Sequence, residues 1–128
     1  MIELLKKAVE LGGSDIFIMP GASVTVKVNN DLITLTDGKL TPEDTQQLIQ
    51  QMYELAHRDI RLLAQDGDDD FSFAIRGVAR FRMSAFKQRG SLSAVIRVIN
   101  FNIPDPGDLG IPESIIRLAD RKKGLVLV

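Results

Sequence analysis

The spacing of apolar residues along the chain changes from helical to strand-like and back. Apolar positions at helical spacing over residues 2–9 predict a first helix, and Gly12-Gly13 predicts its end. Asn29-Asn30 is typical of a turn between two strands. Three short strands are therefore predicted, over residues 15–19, 24–28 and 32–36.

The middle of the chain predicts two further helices. Thr41 supplies a capping hydroxyl, Pro42 suits the first helical position, and Glu43 and Asp44 place acids in the first turn. A shorter helix is predicted to follow and to end at Gly67.

Alternation of apolar and polar residues predicts three strands after these helices. A turn near Arg89-Gly90 folds the third strand back along the second. The alternating segments are residues 71–75, 79–85 and 92–98.

The last part of the chain has a different pattern. Residues 101–110 predict an irregular connector, and Pro112 opens a short helix that ends in the basic residues 121–123. Residues 124–128 are all apolar after Gly124, which is typical of a strand buried on both faces of a parallel sheet. Because parallel strands need crossover connections, we expect the natural protein to continue.

Composition fits one compact domain. The 128 residues are 45% hydrophobic, and the absence of cysteine excludes disulfides and thiolate metal sites. The amino terminus mixes charged with apolar residues and does not resemble a signal peptide. No stretch approaches the roughly 20 apolar residues of a membrane span, so we expect a soluble protein.

Charge is balanced overall but distributed unevenly. A formal net charge of −1 argues against sequence-independent nucleic-acid binding. Acidic residues crowd at 66–70, whereas residues 71–104 contain no carboxylate. The basic residues of that second segment are Arg76, Arg80, Arg82, Lys87, Arg89 and Arg97.

Two of these arginines are predicted to face each other. Alternation places Arg80 and Arg82 on the polar face of one strand and Arg97 on that of the next, so Arg82 lies opposite or diagonal to Arg97. Facing like charges destabilise a sheet, which favours an anion or carboxylate between them. The alternative is that the arginines pair with residues 68–70 or point into solvent.

The sequence argues against three other kinds of site. His57 is the only histidine, so a histidine-cluster metal site is excluded and a surface or capping role is expected. The acidic residues 66–70 lack the ligand spacing of a calcium loop. No GxxxxGK[ST] phosphate-binding loop is present, so this chain is not expected to be an enzyme by itself.

The segment Asp70–Phe86, DFSFAIRGVARFRMSAF, closely resembles the signature of PilT-like ATPases of pilus retraction and twitching motility. Gly13-Ser14-Asp15 resembles their GxSD element, and Leu109-Gly110 with residues 124–128 resembles their linker and the strand before the phosphate-binding loop. The resemblance implies an α+β fold: a PAS-like antiparallel sheet flanked by helices.

The same resemblance implies a domain organisation. Residues 1–100 correspond to the PAS-like amino-terminal domain, residues 101–123 to a linker with a short helix, and residues 124–128 to the first strand of a truncated RecA-like ATPase domain.

For function, the resemblance implies one part of a homo-hexameric motor that couples ATP binding and hydrolysis to domain rotation. Arg82 and Arg97 match arginines that approach the γ-phosphate, and Arg80 is a third candidate. ATP and magnesium are expected in the full-length protein, but no cofactor in this fragment. The expected partners are its own ATPase domain, neighbouring subunits and the inner-membrane platform of a type IV pilus or secretion machine. These partners imply a cytoplasmic protein peripheral to the inner membrane. The resemblance does not select among retraction, accessory retraction and secretion motors.

Two other functions compete with this interpretation. A free-standing PAS-like ligand-sensing module requires an enclosed pocket, and the chain has few aromatics to build one. A nucleic-acid binder normally displays stacking aromatics beside its basic groups, but Phe81 is predicted on the face opposite Arg80 and Arg82.

Overall fold

A computed structural model describes residues 1–101 and 103–127 and contains one antiparallel sheet over these residues. The strands follow the spatial order β3-β2-β1-β6-β5-β4, so β1 lies between β2 and β6. Their bounds are β1 Asp15–Ile18, β2 Thr25–Val28, β3 Asp31–Thr34, β4 Asp68–Ile75, β5 Ala79–Gln88 and β6 Ser91–Ile99. The six strands predicted between residues 15 and 98 are confirmed, with shifts of a few residues at their ends.

Three helices cover one face of this sheet. They are α1 Ile2–Glu10, α2 Pro42–Leu55 and α3 Arg61–Asp66. Thr41 caps α2 by accepting a hydrogen bond from the Asp44 amide, and the Asp44 carboxylate accepts one from the Thr41 amide, as the sequence predicted for this helix start. Gly67 ends α3 in the left-handed conformation, with φ of 86°.

Tight turns join the paired strands. Asn29 and Asn30 have φ values of 49° and 74°, which suits a two-residue hairpin turn between β2 and β3. Arg89 and Gly90 do the same between β5 and β6, with φ values of 50° and 85°. The predicted turns are confirmed at both places.

The core lies between the sheet and the helices. Leu5 of α1, Met52 and Tyr53 of α2, and Leu63 of α3 are fully or almost fully buried there. The sheet contributes its inward-facing positions: Ile16, Ile18, Val26, Phe71, Phe73, Phe81, Met83, Ala85, Ala94 and Ile96. No described helix covers the opposite face, and the polar residues of the alternating strands lie on it.

The α+β fold class, with an antiparallel sheet flanked by helices, is therefore confirmed. The domain boundaries stay a prediction.

The segment after the sheet differs from expectation in two respects. Its helix, α4 (Glu113–Ile116), continues as a 3-10 turn over Arg117–Asp120 and ends before the basic residues 121–123. Residues 124–127 form no strand, and none of the described strands pairs with them. Val128 lies outside the described residues, and the assignment of residues 124–128 to an ATPase domain stays a prediction.

No helix within the described part of the chain is long and apolar enough to cross a membrane.

Gly13 lies where the end of α1 comes close to β2. A β-carbon at this position would overlap Val26 Cγ2 and would lie 2.8 Å from the Ala8 carbonyl oxygen, which is backbone and cannot rotate away. We expect Gly13→Ala to lower the free energy of unfolding by about 1–3 kcal/mol, measured by urea denaturation. Gly107→Ala, at an exposed loop position, is the control and should change it by less than about 0.5 kcal/mol. Equal stability of the two variants would contradict the close approach.

Candidate arginine site on the open sheet face

Arg82 of β5 and Arg97 of β6 lie directly opposite each other on the open face of the sheet. Directly opposed residues of antiparallel strands have Cα atoms about 4.5–5.5 Å apart and side chains on the same face. The neighbouring inward positions, Met83 and Ile96, are fully buried, which fixes the arginines outward. The prediction that Arg82 lies opposite or diagonal to Arg97 is confirmed, and the two residues are directly opposed.

Asp15 of β1 lies on the other side of Arg97 in the same row. The Arg97 Nε donates a hydrogen bond of 3.0 Å to Asp15 Oδ1. The Asp15 side chain is 16% exposed, whereas that of Arg97 is 69% exposed. The carboxylate therefore lies within the sheet surface, and the guanidinium extends from it into solvent.

Arg82 differs from Arg97 in its partners. In the part of the chain that the structure describes, no carboxylate oxygen lies within 4.0 Å of the Arg82 guanidinium. Its opposite neighbour on β4 is Ser72, a neutral residue. Arg82 is thus an exposed cation beside a second arginine.

The acidic residues at 68–70 were the alternative partners for these arginines, and Asp69 does not fill that role. Asp69 lies opposite Ala85 and faces the helices, where Arg58 donates to both carboxylate oxygens at 2.7 Å and the Tyr53 hydroxyl donates at 2.9 Å. The hydrogen bonds from Arg58 hold the pKa of Asp69 below its ordinary value, against the opposing effect of burial. Burial is the main cause that raises the pKa of Tyr53. Asp69 therefore joins β4 to the end of α2.

A groove of about 320 Å³ surrounds the paired arginines. Its described lining residues are Asp15, Asp70, Arg82, Ser84, Val95 and Arg97. Arg80 lies on the same face, opposite Ala74 and Ile99, and is not among these lining residues. The groove thus brings together two of the three arginines selected from the sequence.

The row through the groove carries one further cation that the sequence interpretation missed. Lys27 of β2 lies directly opposite Asp15, so Lys27, Asp15, Arg97 and Arg82 follow one another across four neighbouring strands. Three cations and one anion leave this row with a formal charge of +2. The residues that line the groove are balanced in formal charge, because Asp15 and Asp70 match its two arginines.

Asp15 was also missed as a site residue, although it stands in the Gly13-Ser14-Asp15 motif. Strand alternation places it on the polar face of β1, but nothing local shows that β1 pairs with β6. Asp69 carried a clearer signal, since it stands two residues before Phe71 and therefore shares its inward face.

The remaining candidates lie elsewhere. His57 follows the carboxyl end of α2 with φ of 51°, consistent with a surface or capping role. Over residues 1–101 and 103–127, no three His, Cys, Asp or Glu side chains converge as a metal site. An apolar cleft of about 560 Å³ lies at the surface between the start of α1 and the end of α2, not between the sheet and the helices. Buried side chains such as Phe81 and Met52 lie between the sheet and the helices.

Comparison with known proteins identifies relatives of this chain. No protein-family model matches it. It is similar to the type IV pilus ATPase PilU of Pseudomonas aeruginosa, with 40% identity over 126 residues, which cover 98% of this chain and 32% of PilU. It is also similar to the type IV pilus retraction ATPase PilT of the same organism, with 32% identity over 127 residues, which cover 98% of this chain and 36% of PilT.

The chain is homologous to the amino-terminal part of the PilT-like pilus ATPases.

A solved structure agrees with this relationship. The crystal structure of the pilus retraction motor PilT with bound ADP superposes with a TM-score of 0.75 at 40% identity, covering 94% of this chain and 35% of that one. This PilT-like chain therefore spans about a third of the length of the relatives it matches. The resemblance read from the Asp70–Phe86 signature is confirmed.

Proposed function

We propose that this chain is the amino-terminal domain of a hexameric motor ATPase of a type IV pilus or a related secretion machine. In this proposal, Arg82 and Arg97 contact phosphate oxygens of a nucleotide held by the ATPase domain of the longer protein. One observation carries the proposal: the two arginines are directly opposed on a sheet face that no described helix covers.

The physical basis is the repulsion between these two arginines. Two opposed guanidinium groups repel each other, and the single carboxylate at hydrogen-bonding distance belongs to Asp15 and contacts Arg97, among the residues the structure describes. A guanidinium presents a planar fork of N–H donors that matches phosphate oxygens. Phosphate between the two arginines would remove the repulsion and use donors that otherwise bind water.

This contact explains how nucleotide could control domain position. When Arg82 and Arg97 bind phosphate from one side and the ATPase domain binds it from the other, the closed arrangement of the two domains is favoured. After hydrolysis, the arginines lose that contact and the domains are free to rotate apart. ATP and magnesium belong to the ATPase domain, and the chemistry they supply is phosphoryl transfer to water.

The assembly and location in this proposal come from the relatives. PilU and PilT are named as type IV pilus ATPases, and PilT is described as a retraction motor with bound ADP. We extend this to a homo-hexamer in the cytoplasm that acts on the inner-membrane platform of a pilus or secretion machine. The motor could serve pilus retraction, accessory retraction or secretion, and these three roles are the alternatives within the proposal.

ATP hydrolysis by the longer protein tests the role of the arginines. We expect Arg82→Ala and Arg97→Ala each to lower turnover at least tenfold while hexamers persist in light scattering, since one charged donor to a transferred phosphate contributes that much or more. Arg76→Ala removes an exposed arginine from the β4–β5 turn and should leave turnover near that of the wild type.

The proposal fails if both site variants hydrolyse ATP at the wild-type rate as hexamers, because the arginines would then be surface residues without a nucleotide role. Arg80→Ala separates the third candidate: because Arg80 does not line the groove, we expect a smaller loss than for Arg82→Ala.

A further inference from the structure

The Gly13-Ser14-Asp15 segment anchors the start of β1 between two neighbouring strands. The Ser14 amide donates a hydrogen bond of 2.8 Å to the Lys27 carbonyl oxygen, and the Ser14 carbonyl oxygen accepts one of 2.9 Å from the Val98 amide. The backbone of Ser14 is therefore bonded to both β2 and β6. Because Asp15 follows directly, its position relative to Arg97 is fixed by the sheet itself.

Asp15 uses its two carboxylate oxygens for different partners. Oδ1 accepts from Arg97 Nε at 3.0 Å, and Oδ2 accepts from the Ser14 hydroxyl at 2.9 Å. The Ser14 hydroxyl also lies 3.3 Å from the Lys27 carbonyl oxygen, so its one proton has two acceptors, of which Asp15 Oδ2 is the nearer. The carboxylate is thus an oriented acceptor within the sheet surface, not a mobile surface charge.

The choice of Nε as donor matters for Arg97. A guanidinium has five N–H donors, and a single bond through Nε leaves the four on the terminal nitrogens. Across the described residues, no hydrogen bond engages those terminal nitrogens. Arg97 is therefore held at its base while its outer end stays available.

We propose that Asp15 is a positioning residue that orients Arg97 for contact with phosphate. This inference rests on the proposed function, in which Arg97 binds nucleotide phosphate. By fixing Nε, Asp15 reduces the rotamers open to a long side chain and directs its terminal donors over the groove next to Arg82. Its negative charge also reduces the repulsion that Arg97 experiences from Arg82 and Lys27.

A different role for Asp15 predicts a different result. If Asp15 only stabilises the sheet by neutralising the row of cations, its loss affects turnover through stability, and part of that effect persists without Arg97 because Lys27 and Arg82 remain in the row. If Asp15 acts through Arg97, its loss has no effect once Arg97 is absent. The two roles differ in additivity, which a double-mutant cycle measures.

The experiment measures ATP turnover and KM of the longer protein for Asp15→Ala, Arg97→Ala and the double variant, all at matched hexamer content. We expect Asp15→Ala to lower kcat/KM about threefold to tenfold in the wild-type background and to have no further effect in the Arg97→Ala background. In the Arg82→Ala background, the loss caused by Asp15→Ala should persist. Asp31→Ala removes an exposed carboxylate at the start of β3 and serves as the matched control.

The outcomes separate the two proposals. An equal loss from Asp15→Ala with and without Arg97 overturns the positioning role while leaving the proposed function intact. Normal turnover of Arg97→Ala overturns the proposed function itself. Asp15→Asn keeps the size and an acceptor oxygen for Nε, so it should recover part of the loss; if Asp15→Ala does not fold, the same cycle with Asp15→Asn decides between the roles.

Discussion

Replacement of Phe81 by alanine should lower the free energy of unfolding by about 3–5 kcal/mol, the range for truncation of a buried phenylalanine. Phe81 lies on the interior strand β5 and is fully buried. Its ring stacks on that of Phe73, its direct partner on β4, with ring centroids 5.2 Å apart. The substitution removes this contact and leaves a cavity between the sheet and the helices.

Urea denaturation, monitored by circular dichroism, measures the free energy of unfolding of Phe81→Ala relative to the wild type. Phe101→Ala is the control, because it makes the same chemical change at a residue that is 55% exposed, and it should cost less than about 1 kcal/mol. Since small domains have total stabilities of about 5–15 kcal/mol, Phe81→Ala will unfold a weakly stable chain. In that case Phe81→Leu is the milder variant to measure. Similar losses of unfolding free energy at positions 81 and 101 would contradict the described core.

Replacement of Asp69 by alanine should cost about 2–4 kcal/mol at neutral pH, although its neighbours Asp68 and Asp70 are also acidic. The Asp69 side chain is only 9% exposed and accepts hydrogen bonds from Arg58 and from the hydroxyl of the fully buried Tyr53. Removing the carboxylate leaves that hydroxyl without its acceptor and Arg58 without its ion pair. The guanidinium of Arg58 also lies over the Phe71 ring at 5.4 Å, so its packing will change as well.

The pH dependence distinguishes this loss from a general packing defect. Because the folded-state pKa of Asp69 is lowered from an ordinary value of 3.8, its stabilisation is fully present above that value and is lost as the pH falls through the folded-state pKa. The difference in unfolding free energy between the wild type and Asp69→Ala should therefore be constant near neutral pH and should shrink below about pH 4. Asp68→Ala, at an exposed position, is the control; a difference that stays constant down to pH 2 would contradict the paired carboxylate.

Local sequence signals predicted most of the elements. Thr41, Pro42 and Asp44 specify a helix start through groups within one turn of each other. Asn29, Asn30 and Gly90 specify turns because asparagine and glycine tolerate positive φ better than most residues. The segment 124–127 is the exception: its apolar pattern is typical of a strand, but a strand forms only when a neighbouring one supplies hydrogen bonds.

The candidate site was predictable only in part. The sequence placed Arg82 opposite or diagonal to Arg97, because both strands alternate strictly and a tight turn joins them, and the structure shows the directly opposed register. Ser84 of the groove lies on β5, and Asp70 lies on the neighbouring strand β4. Lys27 and Asp15 come from the amino-terminal hairpin region and could not be placed in the row by periodicity.

The sequence by itself determined most of the strands and helices, which face each strand of the sheet buries, and that Arg82 lies opposite or diagonal to Arg97. Only the tertiary structure decided that β1 inserts between β2 and β6, which brings Asp15 to Arg97 across 82 positions of chain and adds Lys27 to the row. The physical reason is that alternation and turn residues act over a few positions, so they encode local geometry. Pairing between distant strands is selected by the shared burial of their inward faces and by completed backbone hydrogen bonds, which depend on the whole fold.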